Sequence, residues 1–377
     1  MSEYQYFEFQ AIDCPLDEKG MAELRAISTR AVITATSFTN TYHWGDLKAD
    51  PWQLLGKYFD AFLYVANWGS HWLGFRVPTD AIDLGELQAY QTPESLTISR
   101  RGRHAVLRFD SELEGGDWEE GEGWLASLVS LRADILRGDL RALYLAWLAD
   151  LDCGIVEQDH EPPLPPGLGD LSAPLKSLVG FLRLDEDLVR AAADASDPMP
   201  EQTPDSQEAM DAWVRSMDKA EKDALLCRVA RGDGHVQWEL QAQFRKSRRR
   251  RDPRLAADAS SRRSVNVLLD ARDEYVKQRR QRQAAERARE QRAAAALRRA
   301  YLEDLSQRQD GVRTEIGELI ESRQQNGYDR AVGLLIDLRD VASLSSRSEA
   351  LDEYVAELRR KHARKTSFLR RLEQAGL

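Results

Sequence analysis

Two histidines stand where the sequence could do proton chemistry. His43 closes the β-branched run AVITATSFTNTYH and is followed by Trp44 and Asp46, while His71 and Trp72 follow a turn at Asn67–Gly69. Imidazole titrates near neutral pH, so a His–carboxylate pair at strand ends can serve as general acid and base. The competing use of these residues is packing, with the tryptophans in the core and the imidazoles bonded to nearby carbonyls. The six histidines (His43, His71, His104, His160, His235, His362) are scattered, and Cys14, Cys153 and Cys227 form no CxxC pair. No metal site and no disulfide scaffold is expected. GxxxxGK[ST], HExxH, DFG and GxSxG are all missing, so no catalytic residue is assigned and no cofactor is expected. GEGWLA (121–126) and GLGDLSA (167–173) follow no β-branched strand, which argues against nucleotide turns.

Charge offers more. The segment SELEGGDWEEGEGW (111–124) reads as an exposed acidic loop. Glu112, Glu114, Asp117, Trp118, Glu119 and Glu120 are its candidates for docking a basic surface, with Trp118 as the anchor. It lacks the D-x-D-x-D-G order of a calcium loop. The opposite charge gathers at FRKSRRRRDPR (244–254), where Arg248, Arg249, Arg250 and Arg251 precede Asp252–Pro253 and so end a helix. Guanidinium groups there suit the helix dipole, and they also match phosphate oxygens. Arg245, Arg279, Arg280 and Arg282 complete the candidate basic patch. Glu286 and Glu290, and the lack of interleaved aromatics, weigh against a base-stacking surface.

These clusters sit on an uneven chain. Its 377 residues carry a net charge of −10, but residues 1–200 hold 16 Lys and Arg against 33 Asp and Glu, whereas 201–377 hold 37 against 30. Residues 245–299 alone hold 19 basic against 7 acidic side chains. Such a segment can face nucleic acid, an acidic partner or the chain's own acidic half. A hydrophobic share of 42% with nine tryptophans supports a sizeable core. The opening residues lack the basic and apolar regions of a signal peptide, and no apolar run approaches a membrane span, so a cytoplasmic protein is expected.

The elements that position these groups follow from periodicity. Alternation predicts strands at Tyr4–Ala11 and 31–43, and hairpins turning at Asn67–Gly69 and Gly102. Helices are expected over 16–30 and, behind Pro51, from Trp52 to Phe59. From Trp124 leucines recur at helical spacing, with Gly138 a break. The prolines of HEPPLPPGLG exclude helix and predict an extended linker at 158–169. Two helices at 170–195, the second capped by Asp185, and three over 207–247 should follow. Ala257–Gln307 lacks Pro and Gly and predicts one long helix with apolar ends and a solvated middle, KQRRQRQAAERAREQR. The expected architecture is an α+β N-terminal domain (1–157), the linker, a helical domain (170–256), a long basic helix (257–310) and C-terminal helical hairpins (311–377), helical overall.

Two resemblances accompany this reading. NGYDRAVGLLIDLRDVA, with Gly327, Tyr328, Ala331 and Leu335, resembles the second helix of a tetratricopeptide repeat over 327–343. No second copy follows at the repeat's period, which implies a helical hairpin rather than an array. The opening YQYFEFQAID resembles the first strand of a group of uncharacterised bacterial proteins, which implies no activity. The expected function is that of a non-enzymatic interaction or scaffold protein, a subunit of a larger bacterial assembly with another protein as partner. The alternatives are nucleic-acid binding through 245–299 and an enzyme with a site near His43 and His71. No membrane partner is expected.

Overall fold

The computed structural model describes residues 3–112, 120–200, 204–251, 262–322, 324–344 and 348–377, excepting the side chains of 204–206, 249–251, 344 and 348. Its strands are β1 (Gln5–Gln10), β2 (Val32–Ile33), β3 (Ser37–Tyr42), β4 (Ala61–Ala66), β5 (Ser70–Pro78), β6 (Leu96–Arg101) and β7 (His104–Glu112). Between them lie helices α1 (Glu18–Ile27), α2 (Pro51–Tyr58) and α3 (Leu84–Gln88), and a 3-10 turn at Thr79–Ala81. Then come α4 (Trp124–Leu128), α5 (Ser130–Arg137), α6 (Arg141–Asp152), α7 (Ala173–Phe181), α8 (Glu186–Ala193), α9 (Pro204–Ser216), α10 (Lys219–Ala230) and α11 (Val236–Arg251). The chain ends with α12 (Val265–Gln307), α13 (Gln309–Glu321), α14 (Gln325–Leu344), α15 (Ser348–Lys361) and α16 (Thr366–Gln374). An α+β N-terminal region therefore precedes a helical region built on one long helix. The chain forms two compact units, Met1–Lys277 and Gln278–Leu377.

In the first unit an antiparallel sheet has the order β2-β3-β1-β4-β5-β7-β6. The aromatic alternation of the opening residues makes β1 a central strand: Phe9 pairs in register with Phe38 on one side and Phe62 on the other. Phe7, Phe9, Phe38, Phe62 and Tyr64 share one face and pack with Leu24 of α1 and Trp52 and Leu55 of α2. Leu63, Val65, Leu73, Phe75, Leu107 and Phe109 share the other and pack with α4 to α8. Burying each such aromatic or leucine stabilises the fold by about 1.5–3 kcal/mol, so a sheet covered on both faces is secured. Gly74 admits α2, because a Cβ there would stand 2.7 Å from the Trp52 ring. The expected strand 31–43 is two, interrupted at Thr34–Thr36, where Thr34 N donates to Ser37 O.

The proline-rich stretch 158–169 is extended as far as Pro165, turns at 166–169, where Gly167 takes a φ of 85°, and runs within the first unit. Tyr90 donates to Pro163 O at 2.7 Å and Arg141 Nη1 to Gly167 O at 3.0 Å. Buried Glu161 accepts from Arg263 Nε at 2.8 Å and from the Tyr144 hydroxyl at 2.6 Å, while Val265 N donates to Asp159 O. That bonding seats the start of α12, which gives Val265 and Leu268 to the first core and Leu302 and Leu305 to the second. The expected start of this helix at 257 lies outside the described residues. In the second unit α13 and α14 pack as a helical hairpin through Ile316, Ile320, Ala331 and Leu335, and α15 and α16 close the core with Leu358, Phe368 and Leu372.

Candidate functional site

His71 and His43 are not brought together. β1 and β4 lie between β3 and β5, a separation of about 14 Å at about 4.8 Å per strand. His71 is buried, its ring stacked on Phe181. Arg183 Nη2 lies 2.9 Å from His71 Nε2, and a guanidinium can only donate. Nδ1 therefore carries the proton and donates to Phe181 O at 3.1 Å. The residue is a neutral strut between β5 and the end of α7. His43 is exposed beside the Tyr4 ring, Trp44 lies under the Arg30 guanidinium, and Asp46 accepts from Leu47 N.

Of the acidic docking candidates, Glu112 ends β7 and accepts from Trp72 Nε1 at 2.7 Å and from the Ser70 hydroxyl. Glu120 is exposed, and the following Gly121 donates to the Tyr4 hydroxyl at 3.2 Å. Glu114, Asp117, Trp118 and Glu119 lie outside the described residues. Negative charge accumulates on the sheet beside this segment. Burial pushes the Glu8 carboxyl up, the Tyr6 hydroxyl pulls it the other way, and Glu122 adds to the rise.

The basic candidates divide. Arg245 Nη1 donates to Arg137 O at 2.8 Å and Nη2 to Leu136 O at 3.0 Å. It satisfies the carbonyls that the end of α5 leaves open, where Gly138 (φ 90°) turns the chain through the left-handed region. Its role is in the fold. Arg248 is exposed, its guanidinium 6.0 Å from the Phe244 ring. Arg249, Arg250 and Arg251 close α11, and their side chains lie outside the described residues. On α12, Arg279, Arg280 and Arg282 belong to a stretch, 277–300, in which every residue is exposed except half-buried Ala288. Arg280, Arg282, Arg287, Arg289 and Arg292 have no hydrogen-bond or carboxylate partner among the described residues. At about 100° per residue, Arg280 and Arg287 point one way and Arg282 and Arg289 nearly the opposite way. Toward the end of the helix Arg298 pairs with Asp337 and Asp340, and Arg299 with Glu303.

Sequence reasoning missed a charge network in the first unit. Asp60 is fully buried; its Oδ2 accepts from Ile12 N and Asp13 N, and its Oδ1 from Arg76 Nη2 at 2.8 Å. Arg132 spans the group, donating to Arg76 O at 2.8 Å and Asp13 Oδ1 at 3.0 Å. Burial pushes the Asp60 carboxyl up, but Arg132, the Asp13 amide and Arg76 together hold it below the usual range. At the rim His104 and His235 face each other at 6.4 Å, with His235 Nε2 3.8 Å from Asp13 Oδ2. Burial, then Arg76 and His235, push the His104 imidazole down. A cleft of about 280 Å³ opens there between Asp80, Arg103, Arg228, Asp233 and the two histidines. No local pattern announces it, because its members are spread from residue 13 to 235. Its charges are matched internally, and among the described residues no group of three His, Cys, Asp or Glu could hold a metal ion. No described helix is long and apolar enough to cross a membrane. No protein-family model, curated protein or solved structure matches the chain.

Proposed function

We propose that the chain is a non-enzymatic interaction protein, a subunit of a larger assembly, whose exposed stretch of α12 is met by acidic protein surface on more than one side. The observation carrying this reading is the set Arg280, Arg282, Arg287, Arg289 and Arg292, exposed and without partners among the described residues. Solvated charges contribute almost nothing to stability, so a helix that holds five of them out of the core suits recognition. Between Lys277 and Arg292 its only apolar residues, Ala284, Ala285 and Ala288, offer too little surface for a two-stranded coiled coil. Protein is favoured over nucleic acid because Glu286 and Glu290 interrupt the arginines and no aromatic side chain stands between Tyr275 and Tyr301 to stack a base.

The test is fluorescence anisotropy with the full chain in about 150 mM salt, using a labelled polyglutamate peptide and duplex DNA as probes. The expected result is peptide binding that drops at least tenfold when the five arginines become glutamine. DNA binding with a salt slope of about 0.9 per phosphate, lost in the same variant, would transfer the site to nucleic acid.

A further inference from the structure

A second basic segment of the second unit lies in the α15–α16 hairpin. Residues 359–371, RRKHARKTSFLRR, hold seven Lys and Arg and no Asp or Glu. The whole unit, 278–377, holds 21 against 16. The segment covers the last turn of α15, the connection 362–365 and the first half of α16. Leu358, Phe368 and Leu372 are buried in the core, and Lys365 N donates to His362 O at 2.8 Å, so the connection is held in place.

Three of the seven cations serve the fold. Arg371 Nε donates to Asp329 Oδ1 at 2.5 Å, Lys365 Nζ to Ile320 O at the end of α13 at 2.6 Å, and Arg359 to Leu377 O. The other four, Arg360, Lys361, Arg364 and Arg370, are exposed. Arg360 reaches only its own helix, at Ala356 O, 3.4 Å away. Lys361, Arg364 and Arg370 have neither a hydrogen-bond nor a carboxylate partner among the described residues. Arg370 stands one turn past Thr366, and side chains of a helix lean toward its N-terminus, so Arg370 leans toward the connection that carries Arg364. The acids within one turn of the segment or facing it are Glu357, Glu373, Glu321 and Asp329, four against seven, and Asp329 is already spent on Arg371. The excess is positive.

This segment differs from α12, which interrupts its arginines with Glu286 and Glu290 and exposes Leu297 beside them. Here no acid interrupts the run, Phe368 is buried and Leu369 half-buried. A protein surface would find no exposed apolar anchor, and a single strand no exposed aromatic ring to stack on. The phosphate backbone of a duplex needs neither, only charge. We propose that the α15–α16 hairpin contacts the phosphate backbone of a nucleic-acid duplex through Arg360, Lys361, Arg364 and Arg370, without reading its sequence. The site lies outside the exposed stretch of α12 and does not rest on the reading given to that stretch.

The test is fluorescence anisotropy with the full chain in about 50 mM salt, using labelled duplexes of about 20 base pairs, DNA and RNA, each in two unrelated sequences. The expected result is micromolar binding to at least one kind of duplex, equal for its two sequences. Substituting R360Q, K361Q, R364Q and R370Q together should weaken it at least tenfold and flatten the log–log salt slope by about 3 to 4. All four positions are exposed, and an unchanged urea midpoint checks that the variant folds. The five-glutamine α12 variant should bind the duplex as the parent chain does. No binding at micromolar duplex, unchanged affinity in the quadruple variant, or tighter binding to a single strand of the same length would each overturn the proposal. So would loss of the duplex in the α12 variant alone, which would move the α12 site to nucleic acid. A quadruple variant that loses the polyglutamate peptide but keeps the duplex would overturn it in favour of an acidic protein.

Discussion

Two groups of arginines, one in each unit, are used in opposite ways. In the first, Arg76 and Arg132 secure Asp60 and Asp13, Arg141 ties down the proline-rich stretch, Arg245 closes α5 and Arg263 grips Glu161. Along α12 in the second, five arginines touch no partner among the described residues. The same side chain is structural where its donors meet carbonyls and carboxylates, and available where they meet only water. Composition cannot separate the two cases, because guanidinium charge is constant and only its surroundings differ.

The widest gap between the two classes should appear in stability. Arg132 is 4% exposed, and Arg132→Ala leaves Asp60 and Asp13 short of a cation, so urea unfolding should report a loss of about 3–5 kcal/mol. Arg282→Ala should stay within about 0.5 kcal/mol of the parent chain.

A smaller effect of the opposite sign is expected at Asp110. Burial, opposed by Arg108 and reinforced by Glu112 and Glu94, pushes its carboxyl up to about 6, and its Oδ1 accepts no hydrogen bond. The folded chain thus binds this proton more tightly than the unfolded chain and is destabilised by the charge above pH 6. Asp110→Asn should stabilise by about 1–3 kcal/mol at pH 7.5. The gain should fade as pH falls from 6 to below 4, where both states are protonated; a gain independent of pH would refute this assignment.

In the second unit the sign reverses. His362 is buried with Nε2 unbonded, and burial, then Lys365 and Lys361, push its imidazole down against the opposing pull of Glu321. The unfolded chain takes the proton first, so this unit should lose stability as pH drops below about 6.5. His362→Gln should flatten that slope.

Local structure was legible where one element's own residues decide it. The aromatic alternation of β1, Pro51 at the start of α2, the turns at Gly69 and Gly102, the Asp185 cap and the uninterrupted α12 all follow from near neighbours. Prolines announced the extended chain that runs to Pro165 but not the turn at 166–169, and its course was hidden because Glu161 and Arg263 meet across about a hundred residues. Sheet order was hidden for the same reason. So was the meeting of His104 with His235, which depends on α11 packing against the 3-10 turn and α5. Arg245 shows the limit most clearly: its place in a basic run made it a candidate for an exposed basic patch, and its donors instead meet the carbonyls of α5.

The smallest structural difference should be kinetic. Amide hydrogens of 278–294 should exchange faster than those of 265–276 and 302–306, whose side chains enter the cores; uniformly slow exchange would mean the middle of α12 is covered.

The central claim, that the α12 arginines serve binding and not folding, is tested most directly by measuring both properties of one variant. With Arg280, Arg282, Arg287, Arg289 and Arg292 replaced by glutamine, the urea midpoint should match that of the parent chain while affinity for the acidic peptide falls at least tenfold. A lowered midpoint, or undiminished affinity, would contradict it.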